Sequence, residues 1–317
     1  MRDVEIAVAP CSDFLAADYS CCFYTLGYEQ RSTFAAQRRI NQTGKRVAIG
    51  YYDCHLFSYD KNKEWYQSEG IEILECLRGD FRQCVSDVIS GVLSCIQGPI
   101  RILVDISSMD RYRLATLVDL FRLKGGDAEI NVDFVYCLAE YSPPPDLTAL
   151  NRHVGPVTPQ FAGWWTEPDK PTVTVVGVGY EQDKAVGAIE HVQPAEIWLF
   201  YPHSPVAEYT AALKKANASL VGVTKQGRIL AYEVDRPYDL FAKLESLVAG
   251  LESRANCILL PFGPKIFALA ALLVACIHEK SAVWRVSGGE QPVDRIGHLL
   301  YAMSVKFRCS EANPRSL

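Results

Sequence analysis

One segment of the sequence joins polar side chains to the start of a helix. Residues 105–111 read Asp-Ile-Ser-Ser-Met-Asp-Arg and run from an apolar strand into a predicted helix. Serine hydroxyls and the backbone N–H groups of a helix N-terminus can hold an anion such as phosphate, and an arginine can add positive charge. The alternative is that a serine only caps the helix and the arginine forms a surface ion pair. The candidate binding residues are Asp105, Ser107, Ser108 and Arg111.

A comparable segment occurs in the second half of the chain. Residues 261–265 read Pro-Phe-Gly-Pro-Lys and also join an apolar strand to an apolar helix. Gly263 lets the backbone approach a ligand closely, Pro264 suits the first turn of a helix, and Lys265 provides a cation. We therefore predict an anion site at each segment. The sequence contains neither a Walker A motif nor a G-x-G-x-x-G fingerprint.

The tetrapeptide Gly-Tyr-Glu-Gln occurs twice, at residues 27–30 and 179–182, each time after a short apolar run. In both copies the tyrosine offers a face on which a base can stack. The glutamate offers an acceptor for amino or hydroxyl groups. The alternative is a tight turn whose glutamate only supports the N-terminus of the next helix. The candidate binding residues in these turns are Tyr28, Glu29, Arg31, Tyr180 and Glu181.

Four blocks of the first half recur in the same order in the second half. The offset is 152 residues at Gly-Tyr-Glu-Gln and drifts by only a few residues elsewhere. Ordered matches at a nearly constant offset indicate an internal duplication. The aligned blocks are 23–29 with 175–181, 45–53 with 195–203, 80–93 with 238–251, and 100–121 with 256–277.

Strands alternate with helices in both halves, which predicts βαβ units and parallel sheets. We expect an α/β fold of two tandem Rossmann-like repeats with mainly parallel sheets, related by a pseudo-two-fold axis. The expected boundaries are 1–140 for the first repeat, 141–170 for a Pro-rich connector, and 171–317 for the second repeat with a C-terminal extension. The predicted strands are 23–28, 46–51, 71–75, 100–105, 129–137, 172–178, 196–201, 219–223, 229–234 and 257–260, and the predicted helices of the first half are 30–43, 60–69, 79–96 and 109–124.

The sequence contains no evident catalytic constellation. The six histidines include no H-x-x-x-H pair, and G-x-S-x-G is absent. Glu29, Glu181 and Asp105 could act as acid or base if the fold brought them together. The eleven cysteines include no C-x-x-C, so we expect no metal site and no cofactor. Reduced, mostly buried thiols are typical of a cytosolic protein.

The charge balance argues against a protein that coats nucleic acid non-specifically. The 317 residues include 32 basic and 37 acidic side chains, a net charge of -5, whereas such binding depends on a basic surface. The longest apolar stretch, 266–277, is far shorter than the ~20 residues of a membrane span and predicts a buried helix. No signal peptide is visible at the N-terminus. We expect a cytoplasmic protein without a membrane partner.

The strand–DISSM–helix segment resembles the strand–D-x-[ST]-G-G-[TS]-K–helix arrangement of the CRISPR-associated Rossmann fold (CARF) and related sensors of bacterial defence systems. In that family the polar turn holds a phosphate of a cyclic nucleotide, and the domains pair about a two-fold axis. Here DISSMDR lacks the paired glycines, and LPFGPK lacks the aspartate. The resemblance implies that the phosphate turn is formed by Asp105, Ser107, Ser108 and Arg111 in one half and by Gly263 and Lys265 in the other.

The resemblance also implies a partner. Sensor domains of that family are commonly fused to an effector, whereas about 40 residues follow the second repeat here. We expect the output to come from a protein partner in a defence complex or from the sensor itself. Our first hypothesis is therefore a module that binds a nucleotide-like anion and controls a partner. The alternatives are a hydrolase acting on a nucleotide or nucleic acid, and a structural adaptor.

Overall fold

Strands and helices alternate along most of the chain in the computed structural model, which describes residues 4–51, 55–96, 98–143, 151–163, 169–180, 184–288 and 292–310. The strands are β1 (Val4–Pro10), β2 (Cys21–Leu26), β3 (Lys45–Tyr51), β4 (Glu72–Cys76), β5 (Ile100–Asp105), β6 (Ile130–Ala139), β7 (Asn151–Pro156), β8 (Thr172–Gly177), β9 (Glu196–His203), β10 (Ile229–Glu233), β11 (Asn256–Pro261), β12 (Ala282–Gly288) and β13 (Gly297–Cys309). The helices are α1 (Phe34–Arg38), α2 (Tyr59–Ser68), α3 (Phe81–Cys95), α4 (Arg111–Gly125), α5 (Lys184–Val192), α6 (Ala207–Ala216), α7 (Ala218–Val223), α8 (Pro237–Glu252) and α9 (Lys265–Ile277).

The first sheet has seven strands among the described residues, in the order β1-β13-β6-β5-β2-β3-β4. Strands β6, β5, β2, β3 and β4 run parallel to one another. Strands β1 and β13 pair antiparallel. Strand β2 is buried along its whole length, as expected for a strand that is covered on both faces.

The second sheet has six strands among the described residues, in the order β10-β9-β8-β11-β12-β7. All neighbours are parallel except β7, which pairs antiparallel with β12. The two sheets share one strand order, because β4-β3-β2-β5-β6 in the first corresponds to β10-β9-β8-β11-β12 in the second. These sheets confirm the predicted α/β class with two Rossmann-like halves.

The chain divides into two compact units. The first contains the described residues up to Leu138 and those from Ile296 onward, and the second is Ala139–Arg295. Strand β13 thus returns to the first sheet, although the sequence repeat groups 171–317 together. Its Phe307 packs against α4, where a Cβ on Gly125 would lie 2.6 Å from the Phe307 Cβ. Strand β7 joins the second sheet, although its residues fall in the expected connector.

Helix α9 confirms the buried helix predicted at 266–277. Its residues from Ile266 to Ala275 are all buried, which explains why no polar face interrupts the apolar stretch. Helices α2, α3 and α4 also lie within a few residues of their predicted ranges. Within the described residues, no helix has both the length and the apolar character needed to cross a membrane.

Two predicted elements are wrong. The strand expected at 219–223 is helix α7, in which Leu220 is the buried residue; a short apolar run fits a strand or a helix equally well by periodicity. The helix expected at 30–43 is shorter. It consists of a 3-10 helix at Gln30–Thr33 followed by the five-residue helix α1.

Candidate functional site

The first junction, residues 105–111, joins β5 to α4 and begins with a buried aspartate. Oδ1 of Asp105 accepts hydrogen bonds from the backbone N–H of Ser107, at 2.9 Å, and from the Ser107 hydroxyl. The Ser107 hydroxyl oxygen accepts a bond from the N–H of Cys137, at 2.8 Å. Ser107 has no exposed surface. These hydrogen bonds connect the end of β5 to β6. Ser107 is therefore a buried residue of the strand contact.

Ser108 lies beside a buried ion pair. Its hydroxyl donates to Oε2 of Glu29 at 3.0 Å, and Nε of Arg31 donates to the same oxygen at 2.8 Å. Nη1 of Arg31 donates to the carbonyl of Cys137 at 2.7 Å. Burial disfavours the guanidinium charge, but the Glu29 carboxylate outweighs it and raises the pKa of Arg31. The predicted residues Glu29, Arg31 and Ser108 therefore form one hydrogen-bonded group.

The N-terminus of α4 is capped by Asp110, not by either serine. The Asp110 carboxylate accepts from the backbone N–H of Arg113 at 2.7 Å and pairs with its guanidinium at 2.7 Å. Arg111 is half-buried at this end of the helix. An aspartate at the N-cap satisfies one of the free N–H groups of the first turn. The signal was present in the sequence, since aspartate three residues before the capped N–H is typical of a helix start.

Tyr51 is a residue of this site that the sequence analysis missed. Its hydroxyl accepts from the N–H of Asp110 at 2.7 Å and donates to the carbonyl of Ser108 at 3.1 Å. The guanidinium of Arg113 stacks on its ring, 3.9 Å from the centroid. Burial and the nearby Asp110 raise the pKa of Tyr51, so its hydroxyl stays protonated. Tyr51 thus fixes the backbone of the first junction.

The second junction, residues 261–265, joins β11 to α9. The N–H groups of Phe262 and Gly263 both donate to the carbonyl of Gly177, at 2.9 and 2.8 Å. Among the described residues, no side chain caps α9, whose N-cap position is occupied by Pro264. Lys265 is half-buried in the first turn. This helix start therefore differs from that of α4, because it carries no capping carboxylate.

Each junction packs against a glycine of the repeated tetrapeptide. A Cβ on Gly27 would lie 2.8 Å from the Ser108 Cβ, and a Cβ on Gly179 would lie 2.7 Å from the Phe262 carbonyl oxygen. Gly263 of the second junction also packs closely on the tetrapeptide segment, since a Cβ added at Gly263 would lie 2.6 Å from the carbonyl oxygen of Val178. Both tetrapeptides thus need glycine for the same reason, which is close contact with the neighbouring strand–helix junction.

Two buried asparagines hold these glycines. Asn62 donates to the carbonyls of Gly27 and Glu29, both at 2.9 Å. Asn217 donates to the carbonyl of Gly179 at 2.7 Å. The sequence analysis missed both, although their separation of 155 residues matches the offset of the repeat.

The tyrosines of the two tetrapeptides have different surroundings. The Tyr28 ring lies 6.0 Å from the Phe57 ring, and the Tyr180 ring lies 5.4 Å from the Tyr209 ring. The Tyr180 hydroxyl accepts from Arg295 at 3.2 Å. Glu181 lies outside the described residues.

The carboxylates proposed as acid or base contact adjacent serines. Asp105 binds Ser107, and Glu29 binds Ser108, so the first junction brings them to neighbouring positions. Among the described residues, one cluster elsewhere has the ligand atoms for a metal ion, namely Cys11, Asp13 and Asp133. Its two carboxylates are bound by Arg101, at 2.8 and 2.7 Å, which makes it an ion-pair network.

The fold and the two junctions define a protein of two Rossmann-like α/β units, each with a strand–helix junction that packs against a glycine of the repeated tetrapeptide. A similar solved structure is described as a type III CRISPR defence DNA nuclease activated by cyclic oligoadenylate. It shares 11% identity over 86% of this chain and 67% of that chain, with a TM-score of 0.50. At this identity the likeness concerns the fold.

A second solved structure, the cytoplasmic domain of a prokaryotic cation chloride cotransporter, shares 12% identity over 86% of this chain and 96% of that chain. Its TM-score of 0.26 is too low to carry any argument. No protein-family model matches the chain. No curated protein matches its sequence either.

Proposed function

We propose that this protein is a sensor module that binds a nucleotide-like anion at the carboxyl ends of its strands and controls a protein partner in bacterial anti-phage defence. One observation carries the proposal. Five strands of each sheet have the same order, and each unit packs the glycine of its repeated tetrapeptide against a strand–helix junction. Ligands of open parallel sheets bind at this edge. The CRISPR nuclease of similar fold is activated by cyclic oligoadenylate, which makes that ligand the first candidate.

The anion contacts differ between the two junctions in this proposal. In the first, the Asp110 carboxylate caps α4 and would repel an anion placed on the helix axis. We therefore assign the contact to the Arg111 guanidinium and to the Ser108 hydroxyl, which would turn from Glu29 to donate to the anion. In the second, the N-terminus of α9 carries no capping side chain within the described residues. There the backbone N–H groups of the first turn of α9, which follows Gly263, and the charge of Lys265 would receive the anion.

The remaining candidates take supporting or base-binding roles in this proposal. Glu29 and Arg31 neutralise each other, Glu29 accepts from the Ser108 hydroxyl until an anion binds, and Asp105 with Ser107 fixes the strand end. Tyr28 and Tyr180 remain proposed contacts for a base, and Glu181 remains a proposed acceptor by its place in the repeat. We propose that the module works in the cytoplasm.

One observation favours the alternative of a hydrolase. The Ser108 hydroxyl is half-buried and lies 3.0 Å from a carboxylate oxygen of Glu29, a distance at which a base can take a hydroxyl proton. In that reaction Glu29 would take the role of the base. Incubation with cyclic oligoadenylate followed by mass spectrometry separates the two functions, since cleavage that is lost in Ser108→Ala supports the enzyme.

Calorimetric titration of cyclic oligoadenylate into Arg111→Ala and Lys265→Ala tests the sensor proposal. Each charge-assisted contact contributes about 1.5–3 kcal/mol, so each variant should bind about ten- to a hundredfold more weakly while remaining folded. Lys214→Ala is the matched control, because it removes an equal charge from the exposed surface of α6. If both variants bind as tightly as the parent, the anion contacts are assigned wrongly.

A further inference from the structure

An aromatic side chain is held out of the core beside the first Gly-Tyr-Glu turn. Phe57 precedes α2, and its side chain is 61% exposed. Its φ is 42°, and Gln193 is the other non-glycine residue with positive φ in the part of the chain that the structure describes. A bulky residue in the left-handed region is strained, and such strain is concentrated at ligand-binding sites.

A role in capping α2 does not explain the exposed position and positive φ of Phe57. An apolar residue directly before an N-cap often packs on the fourth residue of the helix. Here the N-cap is Ser58, and the fourth helical residue is the buried, polar Asn62. With most of its ring in solvent, Phe57 gains little from burial to offset its backbone strain.

Phe57 lies beside the tyrosine of the first tetrapeptide. The N–H of Ser58 donates to the carbonyl of Tyr28 at 3.0 Å, which joins the two segments. The Tyr28 and Phe57 rings lie 6.0 Å apart at 54°. Tyr28 stands between Gly27 and Glu29, both of which contact Ser108 of the first junction.

The second unit also places an aromatic ring beside the tyrosine of its tetrapeptide, but this ring belongs to Tyr209, the third residue of α6, whereas Phe57 precedes α2. Tyr209 follows Tyr180 by 29 residues, as Phe57 follows Tyr28. Tyr209 is buried, and its hydroxyl donates to the carbonyl of Glu140 at 3.0 Å. Phe57 has no hydroxyl and is 61% exposed. The ring beside the tetrapeptide tyrosine is thus exposed in the first unit and buried in the second.

We infer that Phe57, with Tyr28, is an aromatic platform on which the planar base of a nucleotide stacks in the first unit. The inference rests on the proposed function, because it places the base beside the anion contacts of Ser108 and Arg111. Every base has a π-face, so the platform selects for a nucleotide over an inorganic polyphosphate, and one stacked base changes affinity about tenfold or more.

The test compares ATP with inorganic tripolyphosphate by calorimetric titration, since the two probes carry three phosphates and differ by the nucleoside. Phe57→Gly removes the ring and suits the positive φ. Phe57→Trp keeps an aromatic face. Leu56→Ala is the matched control, because it removes the neighbouring exposed apolar side chain.

We expect Phe57→Gly to bind ATP at least about tenfold more weakly than the parent, with binding of tripolyphosphate unchanged and no loss of thermal stability. Phe57→Trp and Leu56→Ala should retain ATP binding. The platform is wrong if Phe57→Gly binds ATP like the parent, or if the parent binds no ATP at millimolar concentration. Neither result decides the proposed function, which the cyclic oligoadenylate titrations of Arg111→Ala and Lys265→Ala test separately.

Discussion

The side-chain amide of Asn62 donates a 2.9 Å hydrogen bond to the carbonyl of Gly27, and this bond joins α2 to the turn that packs on Ser108. Asn217 and Gly179 form the same contact in the second unit, at 2.7 Å. The repeated contact connects Asn62 of α2, and Asn217 between α6 and α7, to the glycine of the tetrapeptide in the same unit. Together with the shared strand order, it supports our proposal that the units arose by duplication.

Asn62→Ala should lower the free energy of unfolding by about 1–3 kcal/mol, because it leaves two carbonyl groups without their buried donor. Chemical denaturation monitored by circular dichroism measures the change. Gln67→Ala is the control, since it removes an exposed amide from the same helix. Equal stabilities of the two variants would show that the amide does not hold the turn.

Gly179→Ala should destabilise the second unit by about 1–3 kcal/mol, because the added methyl group would meet the Phe262 carbonyl oxygen at 2.7 Å. Gly250→Ala in α8 is the matched control. No atom lies within 4 Å of a Cβ at that position, so alanine should stabilise the helix by up to about 1 kcal/mol. Thermal unfolding of both variants gives the comparison, and opposite shifts are expected.

The sequence predicts the parallel core of both sheets, because buried strands and alternating helices leave clear local patterns. It does not predict that β13 returns to β1, since Ile6 and Phe307 pair across almost the whole chain. Antiparallel pairing between segments so distant in sequence has no local signature.

The sequence locates the segments of the candidate site but does not predict how their side chains pair. The repeat identified the turns and junctions, but not what their side chains contact. Glu29 is 4% exposed and is bound to Arg31 and Ser108, contacts that the repeat does not reveal. Ser108 follows a different strand from Glu29, so only the fold brings its hydroxyl to the Glu29–Arg31 pair.

Glu29→Gln should destabilise the first unit by about 3–5 kcal/mol, because it leaves the buried guanidinium of Arg31 without its counter-charge. The double variant Glu29→Gln/Arg31→Met should recover part of the loss, since it removes the unpaired charge. Urea denaturation of the parent, both single variants and the double variant measures the coupling. Glu72→Gln breaks an exposed pair with Lys45 and should change little.

Glu75 should make the free energy of unfolding decrease as the pH falls into the acid range. Partial burial raises its pKa, but hydrogen bonds from Lys63 and Tyr59 outweigh that effect and lower the pKa below the ordinary 4.5. Its stabilisation is therefore complete above about pH 4.5 and is lost as the pH falls through the lowered value. Unfolding free energies of the parent and Glu75→Gln should differ at pH 6 and converge in acid. A constant difference would contradict this assignment.

Native mass spectrometry of the purified full chain tests the central claim most directly. A sensor of nucleotide-like anions should carry a nucleotide-sized adduct or gain one on addition of cyclic oligoadenylate. The adduct should disappear under denaturing conditions and weaken in the double variant Arg111→Ala/Lys265→Ala. A chain that shows only its own mass, with and without cyclic oligoadenylate and mononucleotides, would contradict the account.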